Sequence, residues 1–458
     1  MAQEVSIGGV GGVIPPMTPY SFKYEKAELT ADRGGILDLR DAILEFNVFE
    51  RIDKNYLTAE LIFIDNVNIN EIVNWQGTEQ FEIEIHNTRD YETAFKKKFI
   101  VVQINESKKG QDAAAVYSLQ LVEDIYFKSL IDLINNSYLG QPHEMISQIL
   151  ADSGLEREVE FDLPPVQSRF KYLVPNISAL EAISNICNIS TDENGFPYYC
   201  YSELGSNKLV FRSLGEMLTT KPHGSTSFSH RSQKTQKQAA LPLEISSRII
   251  ENYRHWNSTN LLNQIKNGSI GSDWSFVNLN QFSVSDLHYS FIPSGVNLKK
   301  YLPRNQQNVL YDEFAFDGIH NKRNARIIYP YLSNLYSDYE YNINDVDEND
   351  GYNRRMVSNS LRSMVSKEPI DVQIPGYNFF PRYGTTKGVG NIIPLVFYNN
   401  FVDADLIADP TAGIDRKMSG EYLITHCRHH FNLNRYDVAL TCTKFSIGSE
   451  VNPGEYGP

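Results

Sequence analysis

Strict alternation of apolar and polar residues constrains this chain more than any other feature, and it occurs in two stretches separated by hundreds of residues. Residues 42–50 carry Leu44, Phe46 and Val48 in one phase, and residues 56–65 repeat the pattern with Leu57, Ala59, Leu61 and Phe63. Residues 80–85 alternate, 99–104 form a more continuous apolar run, and Tyr117, Leu119 and Leu121 alternate again. A period of two puts successive side chains on opposite faces of an extended strand, so these segments predict half-buried or buried strands. Residues 21–124 therefore read as a small antiparallel barrel or sandwich.

The period changes over residues 125–218. Met145, Ile146, Ile149 and Leu150 share one helical face in 141–152, and Leu180, Ile183, Ile186 and Cys187 share another in 178–188. Ser178 and Glu181 have capping-box spacing. Two short strands, 197–201 and 208–213, flank the turn Leu204-Gly205-Ser206-Asn207, which predicts a hairpin. Residues 219–240 are polar and aperiodic and read as a linker or exposed loop. Strand character returns over 241–250 and 277–292, with a short helical turn at 260–267 ended by Gly268. Residues 329–352 are rich in Tyr, Asn and Asp and read as irregular. Residues 353–365 have helical spacing, and 370–445 read as strands once more.

The strands of the first and last regions echo one another. Gly77 and the strand after it match Gly388 and the strand after it; Phe99–Val101 match Tyr422–Ile424; Tyr117, Leu119 and Leu121 match Tyr436, Val438 and Leu440. The offset stays near about 310–320 residues. Alternation by itself creates such matches between two meanders, so the echo has two readings: coincidence, or two copies of one barrel in a chain.

Bulk properties narrow the function classes. At 458 residues the chain is too long for a single core and predicts several domains. Its net charge of −14 argues against gripping duplex DNA through phosphates, while an acidic wall lets DNA pass unheld. The 27 Tyr and 24 Phe exceed what cores demand and leave aromatics for interfaces. Cys187, Cys200, Cys427 and Cys442 form no CxxC pair, and such low cysteine use fits a reducing cytosol. No stretch approaches the length of a membrane span, and the N-terminus has no signal-peptide pattern. Residues 1–20 read as a flexible Gly/Pro-rich arm, and 448–458 as a loose tail.

Chemistry is sparse. In His426-Cys427-Arg428-His429-His430, a strand would send His426, Arg428 and His430 to one face and Cys427 and His429 to the other. No common zinc spacing is present, so these read as polar strand and interface residues, and no metal ligand is assigned. Asp345–Gly351 resembles a calcium loop only loosely, since Asp350 and Met356 stand where Gly and Glu would be required. Lys96-Lys97-Lys98 precedes a strand and reads as an exposed edge or turn that discourages edge pairing. Gly8–Gly12 lacks the Lys-Ser/Thr of a phosphate loop, and neither GxSxG nor HExxH occurs. No catalytic or cofactor-binding residue is assigned.

Three stretches, in order, resemble the baseplate hub proteins of contractile-tailed phages: Leu44–Asp65 (LEFNVFERIDKNYLTAELIFID), Tyr172–Leu214 with its lead, short helix and aromatic hairpin, and 370–445, where Val372-Gln373-Ile374-Pro375-Gly376 precedes Ser419–Ile424 and His429. The resemblance implies an α+β, predominantly antiparallel β chain with two tail-tube-like barrels, 21–124 and 241–265 with 354–447, an α+β domain at 125–240 and an inserted region at 266–353. It also implies a homotrimer that joins a six-fold tail tube ring to a trimeric central spike, contacts other baseplate (wedge) proteins and encloses the DNA channel. Such a structural virion protein would be assembled in the host cytoplasm and would be neither an enzyme nor membrane-inserted. A spike fused after the second barrel is expected to be absent, and a separate spike protein is implied. Other classes stay open: a distal tail or tail-tip protein of a non-contractile tail, a tail-associated cell-wall hydrolase, and a carbohydrate-binding module.

Overall fold

A computed structural model describes residues 18–444, except 32–34, 66–68, 70–72, 88–89, 108–114, 162–169, 193, 221–227, 230–242, 256–264, 270, 279–281, 291–324, 332–347, 366–368, 381–387, 399–413 and 416–417. The arm (residues 1–17), the C-terminal tail and most of the stretch between 291 and 347 lie outside the described residues.

The strands of the first region are β1 (Lys23–Thr30), β2 (Ile36–Asp38), β3 (Ile43–Arg51), β4 (Thr58–Asp65), β5 (Gln80–Asn87), β6 (Asp90–Ser107) and β7 (Ala115–Glu123). Their order in the sheet is β3-β4-β7-β6-β5-β1-β2. Phe46 on β3 and Phe81 on β5 have ring centroids 5.8 Å apart. Four strand spacings of about 4.8 Å would separate them by about 19 Å in a flat sheet, so the sheet is rolled around its own core.

The middle region contains α1 (Asp124–Ile131), β8 (Leu133–Ile134), β9 (Ser137–Gly140), α2 (Pro142–Asp152), β10 (Val159–Glu160), β11 (Phe170–Leu173), β12 (Ile177–Ser178), α3 (Ala179–Ile189), β13 (Tyr198–Ser202), β14 (Leu209–Ser213) and α4 (Leu214–Thr219). Ser178 caps α3 by accepting from the Glu181 backbone N–H at 3.3 Å. The apolar faces of α2 and α3 meet in a separate core with Leu209 and Phe211 of the hairpin.

Then come β15 (Phe228–Ser229), α5 (Leu243–Ser246), β16 (Asn252–His255), β17 (Gly271–Asn278), β18 (Ser283–Ser290), β19 (Ala325–Tyr331) and α6 (Glu348–Met364). Last are β20 (Ile370–Pro375), a 3-10 turn (Gly376–Phe379), β21 (Ile392–Val396), β22 (Gly420–Asn432) and β23 (Arg435–Thr443). Strands β17, β18 and β19 form their own sheet in the order β18-β17-β19. Phe276 of β17 stacks on Tyr352 of α6, at 4.3 Å between centroids.

The echo in the sequence is a repeat of topology. In the first region β5-β6-β7 is an antiparallel meander whose last strand pairs with β4, and β4 with β3. In the last region β21-β22-β23 is a meander whose last strand pairs with β20, and β20 with β16. Both middle strands carry a register shift against the strand that follows, at Val102 in β6 and Thr425 in β22. The second unit is rolled too. Tyr253 on β16 lies 4.9 Å from Phe397 just after β21. It closes through β15, which pairs with β21 and bridges Ser229 to Ile249.

The two units share one sheet, because β22 pairs antiparallel with β3 from His426↔Arg51 to Asn432↔Glu45. An aromatic seam runs beneath that join. Phe46 of the first unit meets Phe431 of the second, and Phe95 stacks on Phe380 at 5.1 Å. Part of the aromatic surplus is thus spent inside the chain, between its two halves.

Several sequence expectations require correction. Lys96-Lys97-Lys98 is no turn: it lies within β6, paired to β5, with Lys96 and Lys98 exposed and Lys97 buried. Of residues 241–250, those described form α5 and an isolated bridge, and the strand begins only at Asn252. Phe228 and Ser229 in the presumed linker are a strand of the second unit. The stretch 329–352 is not irregular at its ends, since β19 runs to Tyr331 and α6 starts at Glu348. Of the calcium-like stretch, residues 345–347 lie outside the described set and 348–351 are helical.

Candidate functional site: the buried junction of the three regions

Charged residues occupy the inward phase of several strands, next to the apolar residues that fill the core. Glu50 follows Phe46 and Val48 on β3; Lys97 stands between Phe95 and Phe99 on β6; Glu123 follows Leu119 and Leu121 on β7; His429 stands between Cys427 and Phe431 on β22. Burying such groups is costly unless they are paired and hydrogen-bonded. Here they are, and their partners come from other regions.

Glu123 Oε1 accepts from Lys97 Nζ at 3.0 Å and Arg157 Nη2 at 2.8 Å, and Oε2 accepts from the Leu57 N–H at 3.0 Å and Ser202 Oγ at 2.9 Å. Burial alone would raise its pKa, but Lys97, Arg157 and the Leu57 N–H outweigh that and hold it at about 2. Lys97 Nζ also donates to the Ser206 carbonyl at 2.7 Å. Glu50 Oε1 accepts from the Leu204 N–H at 2.6 Å, and Oε2 from the Val389 N–H at 3.4 Å. Burial pushes Glu50 upward, yet His429 and these backbone donors leave it below the usual carboxylate range. Ser202, Leu204 and Ser206 all belong to the β13–β14 hairpin, so its tip is clamped on the first unit by Glu50, Lys97 and Glu123. Asn55 adds a further tie from the β3–β4 turn, donating to the Leu180 carbonyl of α3 at 2.7 Å.

Glycines admit the second unit to this junction. A Cβ at Gly388 would lie 2.1 Å from Glu50 Oε2, and one at Gly390 would lie 2.0 Å from the Tyr201 hydroxyl. Gly390 also has φ +77°, a conformation that side chains disfavour. The Gly388-Val389-Gly390 turn therefore wraps Glu50 and the hairpin at backbone distance. Helix α6 is tied in as well: Arg362 Nη2 donates to the Cys187 and Tyr198 carbonyls at 2.8 and 2.9 Å, over the Tyr199 ring.

The strand reading of the His426–His430 cluster places Cys427 and His429 inside and Arg428 outside, where Arg428 Nε donates to Asn47 Oδ1 at 3.0 Å. His429 Nε2 lies 3.3 Å from both Cys427 Sγ and Glu50 Oε1, and Nδ1 lies 2.8 Å from the Tyr436 hydroxyl. A nucleophilic triad needs the nucleophile and the orienting carboxylate on opposite ring nitrogens. Here both face Nε2, inside a closed core. Glu50, missed by the sequence reading, was detectable as a carboxylate on the apolar phase of its strand. Its partners, being remote in sequence, were not.

At the other end of the second unit, the first described residues dock on β23. The Tyr436 N–H donates to the Tyr20 carbonyl at 3.0 Å, and the Arg435 guanidinium lies 4.4 Å over the Tyr20 ring.

No protein-family model and no curated protein matches this chain in sequence. Among solved structures it is similar to the 43 kDa tail protein of prophage MuSo2 from Shewanella oneidensis, with TM-score 0.52, 11% identity, and 92% of this chain and 98% of that chain covered. It is also similar to a tail protein from Neisseria meningitidis MC58, with TM-score 0.51, 8% identity, and coverage of 94% and 98%. The chain thus has, over nearly its whole length, the predominantly antiparallel β fold of these two tail proteins. Among the described residues no helix is long and apolar enough to cross a membrane.

Proposed function

We propose that this chain is a structural subunit of a phage tail baseplate: a hub that assembles as a homotrimer between a six-fold tail tube ring and a three-fold spike, with DNA passing through its centre. One observation carries the reading. Two rolled units that share a five-strand order, β3-β4-β7-β6-β5 and β16-β20-β23-β22-β21, are joined through β3 and β22, so three chains would present six similar units. On this reading residues 21–124 and 241–265 with 354–447 are the tube-like barrels. Residues 125–240 reach towards the spike, and 266–353 form an insertion available to other baseplate proteins.

The junction suits such a part. An adaptor that converts one symmetry into another must hold its two units at a fixed angle, and buried charges that are paired and hydrogen-bonded across regions help to specify that geometry. The acidic net charge suits a channel that DNA traverses without being held. A catalytic role finds no support at the junction. Glu50 and Glu123 are held below the usual carboxylate range, the opposite of what a general acid requires.

Averaged electron micrographs of the purified chain test the proposal. Rings with three-fold symmetry and six similar lobes are expected. Particles without a central channel, or sustained release of fragments from purified peptidoglycan by this protein, would overturn it.

A further inference from the structure

Glu50, Cys427 and His429 form a compact set of three metal-ligating side chains, all buried, with their ligand atoms within 4.8 Å of one another. Two of the separations, Sγ to Nε2 and Nε2 to Oε1, are both 3.3 Å. Bonds of about 2.0–2.3 Å to a tetrahedral zinc ion separate neighbouring ligands by about 3.3–3.7 Å. The set is therefore close to the edges of a zinc coordination polyhedron.

The surroundings point the same way. The other ring nitrogen of His429 lies 2.8 Å from the Tyr436 hydroxyl, which leaves Nε2 facing the carboxylate and the thiol. A hydrogen bond on the far nitrogen is the usual device for orienting a histidine ligand. Glu50 is held by the Leu204 and Val389 N–H groups, as ligating carboxylates are. Charge also balances: one carboxylate and one thiolate neutralise a divalent ion, so the loaded site would carry no net charge into the core. The mixed sulfur, nitrogen and oxygen donors favour zinc over magnesium or calcium, which take oxygen alone.

We propose that Glu50, Cys427 and His429 supply three ligands of a zinc ion, with the fourth position left to water, and that the ion pins β3 of the first unit to β22 of the second. Zinc spacing rules do not expose this site, because its third ligand stands hundreds of residues before the other two.

The test uses the full chain produced in zinc-supplemented medium. Elemental analysis is expected to find about one zinc per chain after extensive dialysis. Protein produced with cobalt in place of zinc is expected to show a thiolate-to-cobalt charge-transfer band. Cys427→Ser should abolish the band, while Cys442→Ser, a buried cysteine outside the set, should keep it. Less than one-tenth of a zinc per chain together with no cobalt band in the unmodified protein would overturn the proposal, whatever the variants do. A cobalt band that survives Cys427→Ser would overturn it equally.

Discussion

Ser202 Oγ donates to Glu123 Oε2 at 2.9 Å, joining the tip of the β13–β14 hairpin to the last strand of the first rolled unit. Lys97 and Arg157 meet the other oxygen of the same carboxylate. Glu123→Ala would leave the buried Lys97 without its counter-charge and Arg157 with Asp124 alone, at 3.4 Å. A loss of about 3–5 kcal/mol is expected, which urea unfolding would measure. Ser202→Ala removes one donor of four and should cost about 1–2 kcal/mol.

The same carboxylate predicts a pH dependence. Its folded pKa of about 2 lies below its ordinary value of 4.5. A depressed acid stabilises the fold fully above its unfolded pKa and loses that contribution as pH falls towards its folded pKa. Stability should therefore drop between about pH 5 and pH 2, by on the order of 3 kcal/mol from this group. Glu123→Gln, already destabilised at neutral pH, should show a shallower fall over that window in acid-unfolding curves.

Substitution in the turn that wraps Glu50 should be poorly tolerated. Gly390→Ala meets the Tyr201 hydroxyl and a positive φ, and Gly388→Ala meets the Glu50 carboxylate. Each is expected to lower the thermal midpoint by several degrees. Gly35→Ala, with no atom within 4 Å of the added carbon, should leave the midpoint nearly unchanged.

Arg362 links α6 to the middle region through two carbonyls and the Tyr199 ring. Arg362→Ala should raise the proteolytic susceptibility of the segment around α6 before it affects the rolled units. Limited proteolysis followed by mass spectrometry of the fragments checks this order.

Much of the fold was legible. The period-two runs place β3, β4, β5 and β7 to within a few residues, and the Ser178 capping signal marks the start of α3. What failed was decided by distant partners. Lys97 reads as exposed because a lysine between phenylalanines has no local reason to be buried; its reason is Glu123, on the next strand. The acidic run before Tyr352 reads as loop, yet acids favour the first turn of a helix, and α6 begins there. Strands β15 and β16 are too short to show a period, and only pairing with β21 and β20 defines them. Of the junction, Cys427 and His429 could be assigned to one strand face, but Glu50 joins them only through the β3–β22 pairing.

The native mass of the purified chain in solution, by light scattering, tests the central claim most directly. Three chains of 52.2 kDa predict about 157 kDa. A stable dimer near about 104 kDa or a hexamer near about 313 kDa would contradict the three-fold hub, because neither closes a single ring of three duplicated chains.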